Sequence, residues 1–266
     1  GWSRGCETRI AGRDDDDCQD RKRTGKSGAF DGMFDQVEIR MNVCMAPCPI
    51  VFDLDGTLID SAPDIHACVN AVLRQNRLAP LGQDRVRSFI GGGVDLLWTR
   101  IIAALRIDPA YRSDLIASFM TRYHDATALT RLFPGVVEAL GTLADRGHPL
   151  GICTNKPMGP TRAILDHFGI AGSFAHVTSG DCLPQKKPDP APLRAALAAL
   201  GADPAQPRAI YVGDSEFDAR CAAAIQVPFL IYTKGYRLKP VADLPHDAAF
   251  DDFAALPALI ETRVMV

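Results

Sequence analysis

The chain has 266 residues, of which 47% are hydrophobic, and carries 29 basic and 32 acidic side chains. This length allows one large domain or two smaller ones, and the apolar fraction excludes a wholly disordered chain. A net charge of −3 without a long basic block argues against a dedicated nucleic-acid binder. No apolar run approaches the roughly 20 residues that a membrane span needs.

Residues 1–45 differ from the rest of the chain. They are rich in charged side chains, including the run Asp14 to Asp17, and show almost no apolar periodicity. Such a segment buries too little apolar surface to become ordered, and it lacks the apolar stretch of a secretory signal. We expect a disordered or non-native leader.

From Pro49 onward, short apolar runs alternate with amphipathic helical stretches. This alternation is typical of a parallel sheet flanked by helices, and strands buried on both faces are largely apolar. The fold class predicted is α/β, with a Rossmann-like parallel sheet and helices on both faces. The predicted strands are Ile50 to Leu54, Pro149 to Cys153, Phe174 to Thr178, Ala209 to Val212 and Phe229 to Tyr232.

One interval breaks the alternation, because only helical periods occur between Ser61 and Arg131. Three apolar stripes at helical spacing begin at Ile65, Leu97 and Leu115. The interval predicts an inserted all-helical cap domain at 63–131, with the core formed by 46–62 and 132–266.

The cysteines and histidines show no arrangement that indicates a metal site. The eight cysteines are scattered, which predicts reduced thiols and a cytoplasmic protein. Cys44 and Cys48 would form half of a zinc site, but no second pair at ligand spacing follows. Four histidines are predicted on the surface: His66, His124, His148 and His167.

Polar residues follow several of the predicted strands, at the edge of the sheet where α/β proteins bind ligands. Those residues are Asp53-Leu54-Asp55-Gly56-Thr57, Thr154-Asn155-Lys156 and Gly213-Asp214-Ser215, and Gln185-Lys186-Lys187-Pro188-Asp189-Pro190 precedes a helix. Convergent carboxylates repel one another, and all-oxygen ligation of a cation between them suits Mg²⁺. Thr154, Asn155 and Lys187 supply the donors that a phosphoryl group requires. The site is interpreted as a phosphoryl-transfer centre for a small phosphorylated metabolite.

Several of these patterns also have plain structural interpretations. Asp55-Gly56-Thr57 alone is typical of a turn, and Ser215 with Asp218 fits a helix capping box. Lys186 is predicted to be the surface member of the lysine pair. Gly91-Gly92-Gly93 is either an inter-helix turn or a loop that lets the backbone approach a very small substrate.

Four motifs together resemble those of the haloacid dehalogenase superfamily. They are Ile50 to Leu58, Thr154-Asn155, Lys187-Pro188-Asp189-Pro190 and Gly213 to Asp218, in that order. The resemblance extends from about Pro49 to Leu259, and the helical insertion looks like the cap that this superfamily places after its first motif. Residues 60–65, 89–93 and 132–136 are most similar to bacterial phosphoglycolate phosphatases.

The resemblance implies a role for each matched residue. Asp53 would be the nucleophile that forms an aspartyl-phosphate, and Asp55 would be the general acid and base. Mg²⁺ would be held by the side chains of Asp53 and Asp214 and by the backbone carbonyl of Asp55. Ser215 and Asp218 would not bind the ion directly but would support the residues that do.

The same resemblance places Thr154, Asn155 and Lys187 around the transferred phosphoryl group. It assigns Gly91, Gly92 and Gly93 to the substrate-specificity region of the cap. The expected activity is Mg²⁺-dependent hydrolysis of 2-phosphoglycolate by a monomer or homodimer.

Three alternatives remain open at this point. A phosphatase for pyrophosphate or a sugar phosphate would share every core residue and differ only in the cap. A sugar phosphomutase would share the core but return the phosphoryl group to its substrate. A non-catalytic scaffold is disfavoured, since it has no evident need for Asp53 and Asp55 together.

Overall fold

A computed structural model describes residues 47–203 and 208–264. The leader predicted at 1–45 lies outside the described residues, as does Cys44. The strands are β1 Ile50–Phe52, β2 Ile59–Asp60, β3 Arg131–Leu132, β4 Leu150–Cys153, β5 His176–Thr178, β6 Ile210–Gly213, β7 Phe229–Tyr232 and β8 Ala248–Phe250. The helices are α1 Ala62–Gln75, α2 Gln83–Arg87, α3 Gly93–Leu105, α4 Arg112–Tyr123, α5 Val136–Asp145, α6 Met158–His167, α7 Ala191–Ala199, α8 Glu216–Ala223 and α9 Leu256–Val264.

A six-stranded sheet forms the centre of the fold, in the order β5-β4-β1-β6-β7-β8. All of its neighbouring strands are parallel. The first strand therefore lies in the middle, with β4 and β6 on either side, so the residues that follow these three strands share one edge. This arrangement confirms the predicted fold class.

Side chains along β1 alternate between two apolar layers. Ile50 and Phe52 pack on the face covered by α5, α6 and α9, whereas Val51 packs on the face covered by α7 and α8. Alternation with a period of two is what a strand buried on both faces requires. Helices on both faces thus exclude water from the strands and fix the edge at which the polar residues lie.

The helices α1 to α4 enclose a separate apolar cluster. Its largest buried members are Trp98 and Phe119, whose rings meet edge to face with centroids 5.9 Å apart. The chain leaves and re-enters the sheet domain through β2 and β3, which pair antiparallel with Ile59 opposite Leu132. The domain bounds at 62/63 and 131/132 stay a prediction.

Some sequence expectations about the strands were wrong. The short pair β2–β3 and the edge strand β8 were not expected, because two or three residues are too few to show a period of two. The predicted strand that began at Phe174 begins at His176, since a 3₁₀ turn at Ala171–Ser173 precedes it. The predicted strand Phe229 to Tyr232 is confirmed at both ends, and the other predicted strands differ by one or two residues at one end or both, where strand ends are least well defined.

The surface prediction holds for His124 and His167 but is wrong for two histidines. His148 is buried, with Nδ1 3.2 Å from the backbone nitrogen of Cys48 and 3.0 Å from its carbonyl oxygen. His66 is half-buried, with Nε2 2.9 Å from the carbonyl oxygen of Leu81. Both side chains therefore form hydrogen bonds with backbone groups of a neighbouring segment.

The cysteines within the described residues are free thiols, as expected. Across residues 47–203 and 208–264, no helix combines the length and the apolar character needed to cross a bilayer.

Candidate active site

Three aspartates meet at the carboxyl edge of the sheet. Asp53 follows β1, Asp214 follows β6, and Asp218 lies in the first turn of α8. One carboxylate oxygen of each lies within 4.8 Å of the others, and all three residues are buried. The topology thus assembles negative charge where an open parallel sheet binds its ligands.

Lys187 provides the positive charge inside this cluster. Its Nζ lies 2.8 Å from Asp53 Oδ1 and donates to Asp218 Oδ1 at 2.7 Å. The lysine side chain is only 1% exposed, so it is not a solvated surface residue. The ion pair with Lys187 is the contact of Asp53 Oδ1, which has no further hydrogen-bond partner among the described residues.

The three carboxyls of the cluster differ in pKa. Burial raises the pKa of Asp53 from 3.8 to about 7, against the lowering effect of Lys187. Burial, then the charges of Asp218 and Asp53, raise the pKa of Asp214 well above its usual value. Burial also opposes ionisation of Asp218, but Lys187 and three hydroxyl or ammonium hydrogen bonds outweigh it and lower that pKa. The lowered pKa favours the ionised form of Asp218, which pairs with Lys187.

Asp214 is enclosed by backbone on two sides. Thr57 Oγ1 donates to its Oδ1 at 2.9 Å, and the backbone N–H of Tyr236 donates to its Oδ2 at 2.6 Å. Gly56 has a φ of +87° and approaches so closely that a Cβ there would lie 2.5 Å from Asp214 Oδ2. The Asp-Gly-Thr sequence after β1 is therefore both a tight turn and a wall of the site.

Asp218 is held from behind by the start of its own helix. Its Oδ2 accepts from Ser215 Oγ at 2.6 Å and from the Ser215 backbone N–H at 3.1 Å. Its Oδ1 also accepts from Tyr211 Oη at 2.6 Å. These contacts agree with the predicted capping box and leave Asp218 little capacity to contact anything else.

Asp55 lies beside Asp53 but faces the helical segment. Its Oδ1 accepts from Ser61 Oγ at 2.5 Å and from Lys156 Nζ at 3.0 Å. Lys156 also donates a short hydrogen bond to Tyr123 Oη, at the end of α4. Sequence reasoning assigned no role to Lys156 or Tyr123, because nothing local in the sequence shows that α4 meets the residues after β4.

Two predicted phosphate ligands, Thr154 and Asn155, follow β4. Thr154 Oγ1 accepts from the backbone N–H of Lys156 at 3.2 Å, which leaves its O–H to donate. Asn155 Nδ2 donates to the carbonyls of Gly91 at 2.9 Å and Lys187 at 3.0 Å, and its Oδ1 accepts from Lys187 N at 2.9 Å. The Asn155 side chain thus joins three segments and has no amide hydrogen left for a ligand in this arrangement.

The glycine loop of the cap lies against this edge. Gly91 and Gly93 line the same pocket as Asp53 and Asp55, whereas Gly92 is the N-terminal cap of α3. Gly91 and Gly93 have φ values of +113° and +80°, which favour glycine. The loop is thus part of the pocket wall and not merely an inter-helix turn.

Lys186, the predicted surface lysine, forms an ion pair between the core and the cap. Its Nζ lies 2.9 Å from Asp95 Oδ2 in α3, and its side chain is 32% exposed. An ion pair this exposed contributes little to stability, so it joins the cap and core loosely.

The residues at the edge fit a hard divalent cation. All candidate ligands are carboxylate oxygen atoms, and the three aspartates that offer them are buried. Lys187 is the only ammonium that pairs with these carboxylates among the described residues, so a cation would balance negative charge that is otherwise costly to bury. The donor set therefore suits Mg²⁺ better than zinc.

Comparison with known proteins agrees with this geometry. A family model described as haloacid dehalogenase-like hydrolase matches residues 50–232. A phosphoglycolate phosphatase of Cereibacter sphaeroides (strain ATCC 17025) is 47% identical over 79% of this chain and 96% of its own length. One from Rhodobacter capsulatus is 44% identical over 82% of this chain and 98% of its own length.

Solved structures show the same relationship. The crystal structure of a predicted phosphoglycolate phosphatase from Haemophilus somnus 129PT has a TM-score of 0.75 and 32% identity, and the match covers 80% of this chain and 97% of that one. The matched family region contains the aspartates, the lysine and the inserted helices described above. The chain therefore belongs to the haloacid dehalogenase-like hydrolase family.

Proposed function

We propose that this protein is a Mg²⁺-dependent phosphatase that hydrolyses 2-phosphoglycolate. The observation that carries the proposal is the pocket in which Asp53, Asp55 and Thr154 face apolar cap residues. Its cavity volume of about 40 Å³ limits it to a small metabolite. Relatives named phosphoglycolate phosphatase, up to 47% identical, support this choice of substrate.

In the first half-reaction, a carboxylate oxygen of Asp53 attacks phosphorus, and the bond from phosphorus to the ester oxygen breaks. Asp55 gives its proton to the departing alkoxide, which leaves as glycolate. Lys187, 2.8 Å from Asp53, offsets the negative charge that the phosphoryl group brings to the nucleophile. Asp53 is left as an aspartyl-phosphate.

In the second half-reaction, Asp55 takes a proton from water as the water attacks phosphorus. The bond between phosphorus and Asp53 then breaks, and phosphate is released. Ser61 Oγ and Lys156 Nζ both hold Asp55 Oδ1, so the same carboxyl is in position for both steps. The Thr154 hydroxyl is free to donate to the transferred group throughout.

The side chains of Asp53 and Asp214 and the backbone carbonyl of Asp55 would hold Mg²⁺. The bound ion supplies positive charge to the phosphoryl oxygens and relieves the repulsion among the buried carboxylates. Asp218 and Ser215 would not bind the ion directly, because Asp218 already contacts Lys187 and the start of α8.

The free thiols of the described cysteines support a cytoplasmic setting, where such thiols stay reduced. The protein acts there as a monomer or a homodimer.

Phosphate release from a substrate panel tests the proposed function. The panel contains 2-phosphoglycolate, pyrophosphate, glucose phosphates and nucleotides, each with Mg²⁺ or with chelator. We expect kcat/KM for 2-phosphoglycolate to exceed every other value by at least about tenfold, because the pocket is small. A higher kcat/KM for another member would contradict the substrate assignment.

Mg²⁺ binding is expected to strengthen as the pH rises. Since burial raises the pKa of Asp53 to about 7 and also raises that of Asp214, protons compete with the ion near neutral pH. The half-saturating Mg²⁺ concentration should fall by about tenfold between roughly pH 6 and pH 8 for the Asp53 proton alone. A thermal-shift titration of chelator-stripped protein measures this change without relying on activity.

The metal-free protein supplies the control for this prediction. The folded state holds the Asp53 proton more tightly than the unfolded chain does, so its free energy of unfolding should decrease as the pH rises from 3.8 through about 7. Asp53→Asn removes the titrating carboxyl, so the part of the pH dependence of the unfolding free energy that comes from Asp53 should disappear. Equal Mg²⁺ affinities at both pH values would contradict the assignment of Asp53 as a ligand.

A further inference from the structure

Lys156 is the positively charged side chain of the pocket. Of the described residues that line it, Asp53, Asp55 and Lys156 are the charged ones. Lys187 lies behind the nucleophile, where Asp53, Asp218 and the Cys153 carbonyl surround its amine. Among the described residues that line the pocket, Lys156 is therefore the only positive charge available to an anionic group on the leaving-group side.

The amine of Lys156 is held by contacts with both the core and the cap. It donates to Asp55 Oδ1 from the core side and to Tyr123 Oη from the cap side. It also lies 4.4 Å from the centroid of the Tyr123 ring, and its side chain is 4% exposed. An ammonium group has three donors, so one N–H remains beyond these two partners.

The cap side chains that line the pocket carry no charge. They are Ile65, Ile90, Val94, Leu97 and Phe119, together with Tyr123. In such surroundings a charge-assisted hydrogen bond is about twice as strong as a neutral one. The pocket therefore combines a size limit with one oriented cation.

We propose that Lys156 is the specificity-determining residue that binds the carboxylate of the leaving group. The inference rests on the proposed function and names the feature by which that site recognises its substrate. In 2-phosphoglycolate, one methylene separates the carboxylate from the ester oxygen that Asp55 protonates. A group 3.0 Å from Asp55 is therefore within reach of that carboxylate while phosphorus faces Asp53.

A pair of isosteric substrates tests the assignment. 2-Phosphoglycolate and its neutral carboxamide differ in charge and hardly in size, so their kcat/KM ratio reports recognition of the carboxylate. We expect wild type to prefer the acid by about a hundredfold, and Lys156→Met to reduce that preference to less than about tenfold. The loss should appear mainly in KM for the acid, while the carboxamide changes by less than about tenfold.

Two further variants keep the test decisive. Lys156→Arg retains the charge and should keep the preference within about tenfold of wild type. Lys186→Met removes a charge of the same sign that pairs with Asp95 and does not line the pocket, and it should leave the ratio unchanged. Circular dichroism and Tm show whether each variant is folded.

The outcomes separate this inference from the proposed function. If Lys156→Met lowers kcat/KM equally for both substrates, Lys156 acts only by positioning Asp55, and the assignment is overturned while the substrate stands. If wild type itself does not distinguish the acid from the carboxamide, no carboxylate is recognised and the assignment also fails. If another panel member is preferred to 2-phosphoglycolate, the proposed substrate fails first.

Discussion

Asp53→Asn is expected to lower kcat for phosphate release by about 10⁴-fold or more, the scale seen when a nucleophile is removed. The amide has nearly the same shape as the carboxylate but cannot attack phosphorus. Phosphate release measured at saturating Mg²⁺ and substrate gives the effect directly. Since Asp55, Lys187 and Thr154 remain, any residual rate reports the contribution of the surrounding site.

Loss of folding does not account for such a loss of rate. Burial raises the pKa of Asp53 to about 7, so the folded state disfavours its ionised form. A neutral amide avoids that cost, and the metal-free variant should unfold at pH 8 with a free energy no lower than that of wild type.

Acid quenching of wild type during turnover, followed by borohydride, should reduce the aspartyl-phosphate at position 53 to homoserine. Mass spectrometry detects this conversion. Near wild-type turnover by Asp53→Asn would eliminate Asp53 as the nucleophile.

Lys187→Met is expected to produce the second largest effect, because it removes the buried charge between two carboxylates. Lys187 Nζ lies 2.8 Å from Asp53 and 2.7 Å from Asp218, and burial around all three groups is essentially complete. Breaking such a buried pair costs about 3 to 5 kcal/mol of unfolding free energy. Loss of one preorganised charge at the phosphoryl group should also lower kcat by about 10²- to 10³-fold.

Urea denaturation and phosphate release measure the two effects of Lys187→Met separately. Lys186→Met is the matched control, since its ion pair with Asp95 is largely exposed and should contribute less than about 1 kcal/mol. Adding Asp218→Asn to Lys187→Met should recover part of the stability, because it removes one of the unpaired carboxylates. Wild-type stability in Lys187→Met would contradict the proposed charge balance.

The sequence was sufficient to predict five of the six strands of the sheet and the acidic residues at its edge. Strands such as Ile210–Gly213 are continuous apolar runs, and the acidic residues that follow them are placed together by parallel pairing alone. The edge strand Ala248–Phe250 is only partly buried, so its residues carry little of the apolar signal that identifies the others.

Contacts between the cap and the core could not be predicted in the same way. The contact of Lys156 with Tyr123 joins residues 33 positions apart, and its formation depends on how α4 packs against the site. Asn155 shows the same limit, because its motif predicts a phosphate ligand while its amide contacts Gly91 and Lys187. A motif identifies the residue types at a site, but the partners of each side chain depend on segments distant in the sequence.

The antiparallel pair β2–β3 has a consequence for how this protein could be recombined. Asp60 lies opposite Arg131, so the two ends of the helical segment are neighbours in space. A different insertion with closely spaced ends would join the sheet domain at these positions without displacing β1 or Asp53. Such an insertion would change the apolar side chains that limit the size of the leaving group, whereas Lys156 and the reacting residues would stay with the sheet domain.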